Sequence, residues 1–182
     1  MAKLHLVLFE PRIPQNTGSI ARTCAVTGAA LHLIHPLGFS IDDAKLKRAG
    51  LDYWDKLEIH HHDNIGAFFA AYPQAGVKNP YYYFTAKTGA VYTDVSYPEE
   101  TFLIFGREDT GLPDALLEEH PERCVRIPMR ETLRCLNLSN SVAVAVYEVL
   151  RQHDFAGLAK DGRWAKYSWE PETPRDCDIS QI

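Results

Sequence analysis

Three stretches of this chain carry polar side chains at spacings that chemistry could use. Toward the C-terminus, Arg130, Arg134 and Asn137 stand just before a smooth apolar run that reads as a helix from about Ser139 to Gln152. The first turn of a helix has N–H groups without intrahelical partners, so two guanidiniums and an amide beside it could hold a charged or heavily hydrogen-bonding ligand. An ordinary Ser- or Asn-capped helix with a basic loop would show the same residues, and spacing alone leaves both readings open. Near the N-terminus, Asn16-Thr17-Gly18 is followed one turn later by Arg22, which sets bare backbone beside a guanidinium and leaves room for a substrate. Asn16 could equally cap and Gly18 pack. The third stretch, Gly106-Arg107-Glu108-Asp109-Thr110-Gly111, has glycines that permit close backbone approach to a ligand. It matches neither G-x-x-x-x-G-K-[ST] nor G-x-G-x-x-G, which disfavours a phosphate-cradling nucleotidase and a standard NAD-binding unit.

Other constellations are weaker. His60-His61-His62 would alternate between the two faces of a strand, and neither a Cys nor a second spaced His completes a metal site, so a solvated edge is expected. Tyr81-Tyr82-Tyr83-Phe84 could stack bases, but aromatic residues are enriched in strands, which favours a core or interface role. Ser139 and Ser141 lack the G-x-S-x-G elbow of a nucleophilic serine.

The elements that must position these loops alternate. Leu4 to Phe9 reads as a buried strand, followed by a helix that starts at Pro14 and ends at Gly28. Strands are expected at Leu31 to His35, Leu57 to His60, Tyr81 to Thr85, Thr101 to Phe105 and Cys124 to Ile127. Helices are expected at Asp42 to Ala49, Asn64 to Tyr72, Pro113 to Glu119 and from about Ser139. Such alternation implies an α/β fold with a mostly parallel sheet covered on both faces, and ligands in that architecture sit beyond the carboxyl ends of the strands.

Composition bounds the rest. A chain of 182 residues, 46% hydrophobic and 24% charged, suits one globular domain, here residues 1–157, followed by a tail at 158–182. Trp164, Tyr167 and Trp169 are too aromatic for a purely solvated tail and are expected to pack on the body or a partner. The four cysteines at 24, 124, 135 and 177 form no C-x-x-C pair, and no N-terminal stretch resembles a signal peptide, which suggests a reduced, cytoplasmic protein. No apolar run approaches the roughly 20 residues needed to cross a bilayer. A net charge of −5 argues against coating nucleic acid with the whole surface. Local positive patches remain at Arg12 and Arg22, at Lys45, Lys47 and Arg48, and at Arg126, Arg130 and Arg134.

Taken in order, Leu8 through Cys24, Leu103 through Pro113 and Ile127 through Ser141 resemble the three motifs of SPOUT-superfamily RNA 2′-O-methyltransferases, and most closely the TrmL (YibK-like) subgroup. His32 to Phe39 and Ala49 to Tyr53 also look like that subgroup, so the resemblance covers nearly all of residues 4–157. It implies a SPOUT fold with a C-terminal trefoil knot, S-adenosylmethionine as cofactor with S-adenosylhomocysteine as product, no metal, and a homodimer. It further implies methylation of the ribose 2′-hydroxyl of the wobble cytidine or uridine in leucine tRNAs. A related enzyme acting on another tRNA position or on rRNA, or a non-catalytic S-adenosylmethionine-binding module, are the competing readings.

Matched position by position, the family's catalytic residues fall on Arg22, Asn16, Glu108 and Asn137, and its cofactor-binding residues on Phe84, Thr85, Gly106, Ile127, Cys135 and Leu136. RNA contacts are expected from Arg12, Arg130 and Arg134. Cys135 replaces the serine usual in the family, and a thiol is a weak donor. Arg107 and Asp109 replace the Pro and Thr common in the subgroup.

Overall fold

The structure, a computed structural model, describes residues 3–40, 57–73, 80–130 and 135–161. The expected helix at 42–49, the basic residues Lys45, Lys47 and Arg48, the segment Ala49 to Tyr53, Arg134, and the tail aromatics Trp164, Tyr167 and Trp169 lie outside the described residues.

Six strands of the described residues form one sheet: β1 Lys3–Phe9, β2 Ala30–Ile34, β3 Ile59–His62, β4 Tyr81–Phe84, β5 Glu100–Phe105 and β6 Cys124–Val125. Among the described residues four α-helices accompany them, α1 Pro14–Thr27, α2 Ile65–Ala71, α3 Asp114–Glu118 and α4 Leu138–Gln152. The spatial order is β3-β2-β1-β5-β4-β6 and every pair is parallel. The chain winds outward from β1 through β2 to β3, then crosses to the other half. β1 and β5 are therefore the neighbours from which the two halves diverge, and the crevice beyond their carboxyl ends is where such a sheet binds ligands.

Each strand feeds two cores because alternate side chains face opposite ways. On one face Leu4, Leu6 and Leu8 of β1 meet Ile20 and Cys24 of α1 and Val142, Val146 and Val149 of α4. On the other, Val7, Ile34, Tyr81, Phe102 and Ile104 pack with Phe68 of α2 and Leu117 of α3. Burial on both faces explains why β2 and β4 are apolar or aromatic throughout, with only His32 breaking the run. The aromatic run at Tyr81 to Phe84 is thus core strand.

Sequence expectations shift at three places. The third strand is Ile59–His62, two residues later than expected, because His32 and Ile34 of β2 pair in register with His60 and His62. The last strand shortens to Cys124–Val125, since Arg126 instead bridges Val91 in the long connection after β4. The C-terminal helix starts at Leu138.

The histidine run is an edge strand, but its expected solvation is only half right. His61 is exposed and lies 3.1 Å from His35, nitrogen to nitrogen. His62 Nε2 approaches His32 Nδ1 at 3.1 Å, and His32 Nε2 approaches His5 Nδ1 at 2.8 Å, so three strands are joined by a ladder of imidazoles whose inner two rings are buried. His60 stacks on His32, and Phe102 stacks on His5 with ring centroids 4.0 Å apart. Among the described residues no three His, Cys, Asp or Glu side chains are grouped to hold a metal ion.

Candidate active site at the divergence of the sheet

All three chemically interesting stretches emerge at the carboxyl ends of strands near this crevice. The first follows β1: Glu10 turns the chain with φ of 45°, Pro11 follows, and Pro14 opens α1. The second follows β5, where Arg107 and Gly111 exchange backbone hydrogen bonds to close a tight loop. Gly106 is required there by space: a Cβ would lie 2.1 Å from the Gly111 carbonyl carbon and 2.2 Å from the Leu112 nitrogen. The third enters α4.

Glu108 ties the first two loops together. Its carboxylate accepts hydrogen bonds from the Arg12 backbone N–H (2.8 Å), the Ile13 backbone N–H (3.2 Å) and Asn16 Nδ2 (3.0 Å). These donors sit at the start of α1, where N–H groups lack intrahelical partners and a carboxylate is favoured. Asn16, buried, passes the connection on, since its Oδ1 accepts from Asn137 Nδ2 at 3.0 Å. Asn137 Oδ1 in turn accepts from the backbone N–H groups of Ser139 (2.9 Å) and Asn140 (3.3 Å) and from Ser139 Oγ (2.7 Å). Three residues 29 to 121 positions apart thus form one chain of hydrogen bonds from loop to loop to helix cap.

This arrangement closes one open alternative and corrects one expectation. Asn16 is not a cap: the N-cap position of α1 is Ile13, and the Asn16 amide bridges Glu108 and Asn137. Asn137, rather than Ser139 or Asn140, caps α4, and its side chain takes N–H groups of the first turn that the sequence reading reserved for a ligand. The sequence signal for this was present, because Asn is a strong N-cap residue, but it competed with two further cap-formers at Ser139 and Asn140.

The remaining candidates are placed by the elements that carry them. Arg22 lies exposed on α1 and makes contacts within the protein, and Arg130 is exposed on the approach to the third loop. Arg12 is one-third exposed and bonded through NH2 to Glu10 Oε2 at 2.7 Å. The cofactor candidates lie at strand ends: Phe84 closes β4 and stacks on Phe105, Thr85 donates its backbone N–H to Val125, Gly106 follows β5, and Ile127 follows β6. Cys135 and Leu136 stand exposed before α4.

Two features fit an amphipathic ligand there. Leu136, 38% exposed, offers an apolar surface that solvent would otherwise wet. Arg126, next to Ile127, has a buried Nε without a hydrogen-bond partner, an unspent donor of the kind a bound polar group satisfies. An open cavity of about 390 Å³ lies between the first two loops, with Phe9, Glu10, Lys87, Arg107 and Asp114 among its walls.

The chain matches the SpoU rRNA Methylase family over residues 3–147. It belongs to that family. Its relatives include a protein of Geobacillus stearothermophilus that is 54% identical over 159 residues, covering 86% of this chain and 99% of the relative, and that is provisionally assigned as a tRNA (cytidine(34)-2′-O)-methyltransferase. A protein of Methylovorus glucosotrophus bears that name without qualification and is 47% identical over 153 residues, 84% of this chain and 97% of the relative. Among solved structures, one described as giving insights into 2′-OH methylation of C/U34 on tRNA superposes with a TM-score of 0.79 at 43% identity, over 85% of this chain and 98% of that one. The SPOUT-type resemblance read from the three motifs is thereby borne out, as are the α/β parallel sheet and the assignment of the chain as a methyltransferase.

Proposed function

We propose that this enzyme transfers a methyl group from S-adenosylmethionine to the ribose 2′-hydroxyl of the cytidine or uridine at the tRNA wobble position, with leucine tRNAs as substrates. The observation that carries this reading is the Glu108–Asn16–Asn137 chain, which locks the three motif loops of a SpoU methylase around one crevice. The naming of relatives at 54% and 47% identity for cytidine-34 supports the choice of nucleotide.

The cofactor would be held by Phe84, Thr85, Gly106, Ile127, Cys135 and Leu136, with backbone groups supplying most hydrogen bonds and Leu136 and Ile127 the apolar contacts. When bound, it supplies a methyl group already activated by its positive sulfur for in-line displacement. The protein's task is then chiefly positioning, which can supply much of the acceleration for such a displacement. Arg22 clamps a phosphate next to the target ribose and stabilises the negative charge that grows on the 2′-oxygen as the O–CH3 bond forms. Arginine stays protonated in proteins, so the hydroxyl proton passes to phosphate or water. Asn16, Glu108 and Asn137 spend their polar atoms on one another and on the starts of α1 and α4, and act by holding the loops in register. Arg12, Arg130 and Arg134 bind the RNA backbone, a focused positive patch on an otherwise acidic chain.

A homodimer would complete this patch. The α1–α4 side of the molecule exposes Val26, Val144 and Tyr147, the last 49% accessible, which suits an apolar contact between copies. The C-terminal trefoil knot and cytoplasmic location belong to the same proposal; among the described residues no helix is long and apolar enough to cross a membrane.

The test is methylation of unmodified leucine tRNA transcripts carrying either the native anticodon loop or one exchanged from another tRNA. Ribose methylation confined to position 34 of the native loop is expected. Transfer that ignores the anticodon loop, or that appears only on rRNA, would move the substrate elsewhere within the family.

A further inference from the structure

Arg107 and Asp109 stand where the resemblance to the subgroup leads one to expect Pro and Thr, and the structure shows that they are partners. Arg107 Nε and NH2 reach Asp109 Oδ1 and Oδ2 at 2.9 and 2.7 Å, a two-pronged pairing that fixes the plane of the guanidinium. The remaining nitrogen, NH1, lies 3.5 Å from Glu10 Oε2. That same oxygen accepts the bond from Arg12 NH2. Four charges of alternating sign, Asp109, Arg107, Glu10 and Arg12, therefore run from the second loop into the first.

Arg12 is held on its other sides as well. Its backbone N–H is taken by Glu108, and Gly38 presses against it so closely that a Cβ would sit 2.7 Å from both Arg12 Cα and Cδ. Its Nε is buried without a hydrogen-bond partner. Among the described residues Glu10 is the carboxylate bonded to this guanidinium, and its position decides where the exposed end is drawn and how much of its charge is cancelled. A carboxylate serving one arginine can close both its oxygens on that guanidinium, whereas Glu10 divides one oxygen, Oε2, between two arginines and so neutralises Arg12 less completely.

We propose that Arg107 is a positioning residue that, by sharing Glu10 with Arg12, keeps Arg12 directed and incompletely neutralised for an RNA phosphate. This rests on the reading of Arg12 as an RNA-binding residue. Asp109 sets the plane of Arg107 by pairing with its Nε–NH2 edge, so the four side chains together carry no net charge and the effect on Arg12 lies in how Glu10 is divided.

The test uses the full chain, unmodified tRNA substrate, and separate Michaelis constants for tRNA and S-adenosylmethionine. The decisive variant is the double substitution Arg107→Ala/Asp109→Ala, which leaves net charge unchanged. It should raise KM for tRNA about three- to fivefold, the range of a partly exposed ion-pair link, while kcat and KM for the cofactor move less than about twofold. Asp109→Ala alone should not tighten tRNA binding, as a pure charge effect would require. Arg107→Lys retains charge but cannot fork, and should also raise KM for tRNA, which guards against misfolding of the alanine variants. A double variant or a lysine variant with wild-type KM, in an enzyme where Arg12→Ala does raise KM, would overturn the inference and leave the RNA-binding reading standing. An Arg12→Ala enzyme with unchanged KM for tRNA would overturn both.

Discussion

The imidazole ladder makes acid sensitivity a direct test of the described packing. Glu100 Oε1, 3.5 Å from His5 Nε2, favours a proton on that nitrogen. His5 Nδ1 then accepts from His32 Nε2, and His32 Nδ1 accepts from His62 Nε2, which places one proton in each interval. Three neutral rings fill three of the four proton positions along the line, and a second excess proton would set N–H against N–H. Burial holds His5 down at about 4 and His32 down at about 2, helped by Lys3 beside His5 and by the neighbouring histidines beside His32; Glu100 and Glu58 pull His5 the other way without winning. Both rings are therefore neutral in the folded protein, while in the unfolded chain they take up protons below about pH 6.5. Their contribution to stability is complete above that value and is lost as pH falls toward the folded-state values.

Between pH 7 and pH 5 the loss comes to about 2 kcal/mol per ring, about 4 kcal/mol together, a large share of the 5–15 kcal/mol typical of a domain. Urea unfolding at pH 7, 6 and 5 should show this decline in the wild type. In His5→Phe/His32→Phe, which keeps the aromatic stacking on Phe102, the decline should shrink to a small remainder from groups such as His61 and the partly exposed His62, whose burial also lowers their pKa. A double variant with the same pH dependence as the wild type would refute the ladder. Imidazole NMR signals of His5 and His32 titrating near pH 6.5 in the folded protein would do the same without any substitution.

Other outcomes follow from the crevice. Arg22→Ala should lower kcat by about a hundredfold or more while the dissociation constant for S-adenosylmethionine stays within about twofold, measured by single-turnover methylation and calorimetry. Glu108→Ala leaves two backbone donors and the buried Asn16 amide without their acceptor, so unfolding free energy should drop by about 2–3 kcal/mol and turnover should fall with it. Asn137→Ala removes the cap of α4 as well as the link to Asn16 and should cost at least about 1 kcal/mol in a denaturation experiment. Gly106→Ala cannot be accommodated without moving the Gly111–Leu112 backbone, and cofactor affinity should weaken at least about tenfold, since a small displacement of groups that position a ligand is costly.

Much of this architecture is written locally. The apolar strands, Pro14 at the start of α1 and Gly28 at its end are short-range signals, and they place the three loops at one end of the sheet. The exact wiring is not local. Asn16 and Asn137 are separated by 121 residues, and nothing in either neighbourhood says that one amide will bind the other. The same limit hid the histidine ladder: alternation along His60 to His62 was legible, but the register that sets His62 beside Ile34 and brings its Nε2 to His32 is decided by how β3 lies on β2. Arg107 and Asp109 looked like deviations from a motif, and their meaning emerged only when Glu10 and Arg12 were seen beside them.

The central claim is ribose methylation of a wobble nucleotide, and it is tested most directly by incubating the enzyme with labelled S-adenosylmethionine and bulk tRNA from cells lacking the activity, then identifying the modified nucleoside by mass spectrometry. The expected product is 2′-O-methylcytidine or 2′-O-methyluridine mapped to position 34. Methyl label on a base, or on a ribose elsewhere with position 34 untouched, would contradict it.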